Sequence, residues 1–427
     1  MLDRLARLNP FKTPEAQRLA ILFAIVYFAQ GMYELPTQTL TLTLKERLGL
    51  SAGQAATFFL IVTVPWFVKP VYGLISDFVP LFGRRRKSYF LLAAALAAGS
   101  GFALAVFGGV SYWRLAVLYT AMGLGIAFTD VLTDALMVEN GRPRGLTGAF
   151  QSVQWAAIYG ATILAGALGG YLAERRELAG AFAIGACFPL VSFTMALVYV
   201  RDPAAHRDRE AFLATWAAIR EALGSRTVWG VAGFILFWTF SPSFGPAFLY
   251  YQTDQLKFDQ QFIGYLASLS AASAIAGAFI YAPLSRRIRL KWIIVASIGI
   301  GALSTLAYLL YRDRTSATVI DGSFGCVAMI TQLAFLDLAA KSCPRRVEGT
   351  FFALLMSVFN LGVKGSQITG GYLYDWLGYT PLVLISAGFT ALAWLLVPLV
   401  KIDRIEAQAL KDVPLPDSAE PQPVRAS

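Results

Sequence analysis

Charge is scarce in this sequence. Of its 427 residues only 15% are Asp, Glu, Lys or Arg, whereas 57% are apolar. A soluble domain has about a quarter charged residues, so this chain has too little polar surface to cover a globule in water. Apolar runs of about 20 residues, the length of helix that crosses a bilayer, recur along most of the sequence. The runs are continuous rather than alternating, which favours membrane helices over barrel strands.

Histidine and cysteine are also rare. The chain has one histidine, His206, and three unpatterned cysteines, Cys187, Cys326 and Cys343. This count supports neither a disulfide framework nor a zinc site, and it leaves almost nothing for a catalytic triad. We therefore expect no enzyme activity, no metal and no cofactor. The formal charge of +10 comes from short Lys/Arg clusters between apolar runs, so we expect a lipid bilayer and no nucleic acid as partner.

The apolar runs predict an all-α membrane protein with twelve transmembrane helices in two six-helix bundles. The predicted spans are 19–42, 53–75, 89–109, 113–138, 147–172, 180–200, 229–251, 262–283, 292–311, 317–340, 349–374 and 380–400. The predicted domains are an N-terminal bundle (1–200), a charged cytoplasmic linker or interfacial helix (201–228), a C-terminal bundle (229–400) and a disordered cytoplasmic tail (401–427). Lys and Arg are enriched in alternate loops, which predicts an inner-membrane protein with both termini in the cytoplasm.

An internal repeat relates the two halves. At an offset of 201 residues, Gly148–Phe150 aligns with Gly349–Phe351, and Gly169–Leu172 aligns with Gly370–Leu373. Between these segments, small residues recur every fourth position in the fifth and eleventh spans, which lets helix backbones approach closely. A parallel repeat of six spans is typical of the major facilitator fold, whose substrate site lies at mid-membrane between the halves.

Ionisable side chains within spans indicate where a site lies, because such groups cost several kcal/mol in lipid and usually face the bundle interior. They are Glu34, Lys69, Asp130, Asp134, Asp337 and Lys364. We predict that they converge on one central cavity, in which the lysines bind an anionic substrate. Asp130, Asp134 and Asp337 are the predicted proton-coupling residues, because two close carboxylates do not both ionise easily. The alternative is that these charges pair to hold helices together.

Other side chains near these charges complete the predicted substrate site, and they are Trp66, Gln151, Trp155 and Asn360. The tryptophans suit a flat heteroaromatic ring, although packing is the alternative role for aromatic residues here. Pro242, Gly245 and Pro246 break the seventh span, and broken helices are tolerated where they line a cavity.

Several motifs resemble those of the folate-biopterin transporter family of the major facilitator superfamily. They lie at residues 69–86, 130–139, 246–251 and 348–360, and so cover both halves. The resemblance implies a secondary transporter, a proton symporter for folate or pterin-like organic anions. It also implies a cytoplasmic gate formed by Asp77, Arg84, Arg85 and Arg86, for which simple positive-inside anchoring is the alternative.

Two rival functions stay open at this point. A carrier of the same superfamily could move another solute, such as a muropeptide, a drug or an organic anion. A membrane assembly factor for pigment–protein complexes would move no solute at all. Buried lysines with paired aspartates favour transport, since an assembly scaffold has little need of buried charge. The sequence does not indicate an oligomeric state.

Overall fold

Helices make up most of the chain that the structure describes. The structure is a computed structural model that describes residues 10–109, 111–202, 209–343 and 348–411. Residues 203–208 of the predicted linker and 412–427 of the predicted tail lie outside this part. The helices are α1 (Pro14–Gly31), α2 (Thr37–Glu46), α3 (Ala52–Phe67), α4 (Lys69–Phe78), α5 (Lys87–Phe107), α6 (Tyr112–Gly141), α7 (Thr147–Glu174), α8 (Leu178–Tyr199), α9 (Arg209–Leu223), α10 (Arg226–Thr239), α11 (Pro246–Asp254), α12 (Gln260–Arg287), α13 (Leu290–Ala307), α14 (Arg314–Ser342), α15 (Glu348–Leu377), α16 (Tyr379–Leu392), α17 (Val397–Val400) and α18 (Ile402–Lys411).

These helices account for the predicted membrane spans. Among the described residues, ten helical segments are long and apolar enough to cross a membrane, and the bent pair Tyr379–Leu395 with Val397–Ala407 makes an eleventh. The seventh predicted span consists of two shorter helices, α10 and α11. Pro242 and Pro246 explain the interruption, because proline lacks an amide hydrogen and its ring clashes with the preceding turn. The predicted all-α membrane fold is confirmed.

Two further spans are interrupted beside a predicted site residue. In the first span, α1 and α2 are separated by a 3₁₀ turn at Met32–Glu34, which Pro36 follows. In the second span, α3 ends and α4 begins around Val68, just before Pro70. Glu34 and Lys69 therefore lie at breaks and not within continuous helix. Such breaks free backbone groups, which is tolerated at membrane depth only where protein or water surrounds them.

The helix ends fall on two sides of the molecule. We call the side of Pro14, Lys87 and Val400 the proximal end, and the side of Ser51 and Asp375 the distal end. The linker helix α9 lies at the proximal end, where the ring of Phe212 packs edge-on against Phe78 at 5.3 Å between centroids. Leu213 and Trp216 of α9 are exposed, which fits the predicted interfacial helix.

The predicted small-residue stripe packs within each half, since a Cβ added to Gly169 would lie 2.9 Å from the carbonyl oxygen of Leu35 and one added to Gly370 would meet that of Ser243, whereas the glycine after each lies between the halves. A Cβ added to Gly170 of α7 would lie 2.8 Å from the carbonyl oxygen of Gln260 in α12. A Cβ added to Gly371 of α15 would lie 2.9 Å from the carbonyl oxygen of Ala52 in α3. Gly170 and Gly371, which are 201 residues apart and so related by the internal repeat, thus make matching contacts, each with a helix of the opposite half.

Candidate substrate site

Two of the charges within spans of the first half form an ion pair. Lys69 Nζ lies 2.5 Å from Asp130 Oδ2, and 18% of the lysine side chain but only 4% of the aspartate side chain is exposed. The Lys69 ammonium also lies 4.5 Å from the ring centroid of Trp66. Pairing and a cation–π contact offset the cost of taking both charges out of water. Three of the predicted site residues are therefore in contact, and Lys69 keeps a solvent-facing side.

Asp134 lies one helical turn from Asp130 on α6 and has only neutral partners within the described residues. Its Oδ1 accepts hydrogen bonds from the Tyr27 hydroxyl and from Gln154 Nε2, the latter at 3.3 Å. Tyr27 belongs to α1 and Gln154 to α7, so the carboxylate connects three helices of the first half. A carboxylate without a cation of its own can take up a proton without breaking an ion pair.

The second half contributes a lysine without a carboxylate partner. Lys364 Nζ donates a hydrogen bond to Gln367 Oε1 at 3.3 Å, and no ion pair of Lys364 occurs within the described residues. Glu34 of the first half is near enough to act electrostatically on Lys364. Glu34 is exposed and accepts a hydrogen bond from Thr37 Oγ1 at 3.2 Å. Within the described residues, each half therefore has a predicted substrate-site charge, Glu34 or Lys364, that makes no ion pair.

The remaining predicted substrate-binding residues are less closely connected. Trp155 stacks on Tyr159, with 6.0 Å between ring centroids, and the Tyr159 hydroxyl lies 3.7 Å from Met329 Sδ in the second half. Gln151 is exposed and Asn360 is half-buried. Their predicted role in binding stays a prediction.

Asp337 does not join this group. Its Oδ2 accepts hydrogen bonds from Lys341 Nζ at 2.9 Å and from the Tyr281 hydroxyl at 3.4 Å. Lys341 also lies 3.8 Å from Glu406 of α18, which places Asp337 at the proximal end. Asp337 makes no hydrogen bond or ion pair with the other five charges within the described residues, so its predicted place in the central cavity stays a prediction. A lysine one turn further along the same helix neutralises it locally.

The predicted gate residues separate into one buried and two exposed arginines. The buried Arg86 guanidinium pairs with Asp77 and, at 2.6 Å, with Glu139 Oε1. Burial lowers the pKa of Arg86, but Asp77 and Glu139 outweigh it and raise the pKa above its usual value. Arg84 and Arg85 are exposed, and Arg84 instead closes a tight turn through backbone hydrogen bonds with Leu81 at 2.9 and 3.1 Å. Asp77, Arg86 and Glu139 all belong to the first half, so these ion pairs do not join the two halves.

We expect Arg86→Ala to lower the stability of the protein by about 1–3 kcal/mol, because buried Ser76 loses its Arg86 donor, whereas the exposed Asp77 and Glu139 carboxylates stay solvated. Arg85→Ala is the matched control, since the exposed side chain of the adjacent residue should change stability by less than about 0.5 kcal/mol. Thermal unfolding of purified protein in detergent would measure both. Equal melting temperatures for the two variants would contradict a structural role for the buried Arg86 guanidinium.

Two residues of interest did not emerge from the sequence. Tyr27 became relevant only through its hydrogen bond to Asp134. Asp321 is a buried carboxylate, 8% exposed, that accepts hydrogen bonds from the hydroxyls of Tyr311 at 2.8 Å and Tyr308 at 3.3 Å. Its position near the start of the tenth span could have identified it, since any carboxylate within a span is unusual. The described residues contain no group of three His, Cys, Asp or Glu that could hold a metal ion.

Comparison with known proteins assigns the sequence to a family of transporters, for which charged side chains at breaks in membrane spans are expected. Residues 30–399 match the BT1 family. The chain belongs to the BT1 family of folate-biopterin transporters. A relative from Synechocystis sp., named folate-biopterin transporter, is 34% identical over 389 residues, covering 86% of this chain and 76% of the relative. Folate transporter 1 of Plasmodium falciparum is 22% identical over 388 residues, covering 88% of this chain and 75% of that protein. The predicted family resemblance is confirmed.

Solved structures establish the fold of this BT1-family chain. It matches a D-xylose-proton symporter with a TM-score of 0.68 at 15% identity, covering 90% of this chain and 98% of that one. It matches the nucleoside transporter NupG with a TM-score of 0.71 at 14% identity, covering 90% of this chain and 100% of that one. The BT1-family chain is a multi-pass membrane protein with the major facilitator fold, and its family consists of transporters, not enzymes.

Proposed function

We propose that this chain is a proton-coupled secondary transporter that moves folate or pterin-like organic anions across the inner membrane. The observation that carries the proposal is the division of charge between the halves, with the Lys69–Asp130 ion pair in one and Lys364, which has no carboxylate partner within the described residues, in the other. Relatives named for folate and biopterin supply the substrate class. The enrichment of Lys and Arg in the proximal loops supports a cytoplasmic location of both termini.

The lysine that binds the substrate can be inferred from which of Lys69 and Lys364 already has an ion-pair partner. Asp130 occupies Lys69, whereas Lys364 has only an amide oxygen, so Lys364 is the better ligand for a carboxylate of the folate glutamate tail. The pterin ring carries adjacent N–H donors that an exposed carboxylate such as Glu34 can accept in two parallel bonds. Trp66, whose ring lies against Lys69, offers a surface on which a flat ring can stack.

Proton coupling follows from the same contacts. Protonation of Asp130 would break its ion pair and release Lys69 as a second cation, besides Lys364, for an anionic substrate. Protonation of Asp134, one turn away, would remove the negative charge that competes for the same lysine. Binding of the proton and binding of the anion would therefore favour each other, which is the linkage that a symporter needs. Asp77 and Arg86 would hold the proximal ends of the second and third spans together while the halves move.

The experiment that tests this proposal is uptake into vesicles. Membrane vesicles containing this chain should take up labelled folate and labelled biopterin, and an imposed pH gradient should drive accumulation above the external concentration. Vesicles from cells with an empty vector are the control. Uptake that a protonophore leaves unchanged would contradict the proton coupling. No uptake of either compound above the control would contradict the substrate class.

A further inference from the structure

The two halves meet at the distal end through a pair of matching carboxylate contacts. Glu174, the last residue of α7, accepts a hydrogen bond from the backbone amide of Gln260, the first residue of α12, at 2.7 Å. Asp375, near the end of α15, accepts the backbone amides of Ala52 and Gly53, the first residues of α3, at 3.1 and 2.9 Å. Each carboxylate thus binds the first turn of a helix that belongs to the opposite half.

The two contacts are related by the internal repeat. Glu174 and Asp375 are 201 residues apart, which is the offset that aligns the fifth and eleventh spans. Gly170 and Gly371, each four residues earlier, follow the same offset and permit the close backbone approach at these helix starts.

The local caps of α3 and α12 leave amides available for these carboxylates. The Ser51 side chain accepts the amide of Gln54 at 3.3 Å, and the Asp259 side chain accepts the amide of Phe262 at 2.8 Å. In both helices the cap therefore satisfies the third amide and not the first. Amides at a helix start have no partner within the helix and carry the positive end of its dipole, so a carboxylate from outside binds there favourably.

We propose that Glu174 and Asp375 are a pair of latches that hold the distal end of the transport path shut and are released when the halves separate. The inference rests on the proposed function, because only a transporter needs to open and close this end. Both carboxylates are exposed at the surface, so water can solvate them and the freed amides once the contact breaks. Release is therefore possible within each cycle, unlike release of a fully buried ion pair.

Distances between spin labels can test the latches without any transport assay. Labels at Ser111→Cys and Arg312→Cys report on distal loops of the first and second halves, after Cys187, Cys326 and Cys343 are replaced by serine in the full-length chain. The labels should give one short distance in the parent protein. Glu174→Ala with Asp375→Ala should add a population at longer distance. Each latch should change the ratio of open to closed protein by roughly 2- to 5-fold, and the two effects should multiply.

The control is Glu177→Ala. Glu177 lies in the loop that follows Glu174, and its exposed carboxylate makes no capping hydrogen bond to the helix that it precedes. Glu174→Gln with Asp375→Asn keeps the side-chain size and should shift the distances in the same direction if the alanine variant folds poorly. Distances equal to those of the Glu177→Ala control, in both double variants, would overturn the latches. A shift in a protein that takes up neither folate nor biopterin would support the latches while rejecting the substrate class.

Discussion

Replacing Asp134 with asparagine is expected to abolish accumulation of substrate driven by a pH gradient, while exchange of internal for external substrate continues. A gradient of one pH unit supplies about 1.4 kcal/mol per proton, enough for about tenfold accumulation if one proton moves with each anion. Asparagine keeps the size of the side chain, and its amide oxygen can still accept the hydrogen bonds from Tyr27 and Gln154, but it cannot take up a proton.

The measurement is a pair of assays on the same vesicles, with gradient-driven uptake in one and counterflow of labelled substrate in the other. Asp321→Asn is the matched control, because Asp321 is also a buried carboxylate that accepts tyrosine hydroxyls, but it lies in the second half near the distal end. Asp321→Asn should retain accumulation. Normal accumulation by the Asp134→Asn variant would remove Asp134 from the proton pathway.

Replacing Lys364 with glutamine is expected to weaken binding of folate by roughly 10- to 150-fold. This range corresponds to the ~1.5–3 kcal/mol of a hydrogen bond to a charged group. Biopterin has the same ring system but lacks the glutamate tail, so its affinity should change much less. The two substrates therefore separate loss of a carboxylate ligand from general damage to the site.

Affinities can be measured by competition of unlabelled folate and biopterin against a labelled ligand in detergent. Lys12→Gln, which removes an exposed lysine outside the membrane helices, should leave both affinities unchanged. An equal loss of affinity for folate and biopterin in the Lys364→Gln variant would argue that Lys364 supports the site structurally. Unchanged folate affinity would indicate that Lys69, and not Lys364, binds the carboxylate of the substrate.

The sequence was sufficient to predict the fold and to single out Lys69 and Asp130, but not to show that they pair with each other. Continuous apolar runs must be helical in lipid, and the parallel repeat of six spans restricted the fold to one superfamily. Lys69, Asp130 and Asp134 were identifiable because charges within spans are rare. The i, i+4 spacing of Asp337 and Lys341 could have predicted their ion pair, whereas spacing along one chain could not show that the arginines of the predicted gate differ in burial.

Composition alone determined that this protein lies in a membrane, because too few charged side chains are available to cover a globule in water. Sequence periodicity determined the two related halves. Only the tertiary structure decided which charges meet, since ion pairs such as Lys69–Asp130 join helices far apart in the chain. The contacts of Glu174 and Asp375 with helix starts of the opposite half were equally hidden. Their partners are backbone amides, which every residue except proline has, so the sequence does not distinguish the residues that make these contacts.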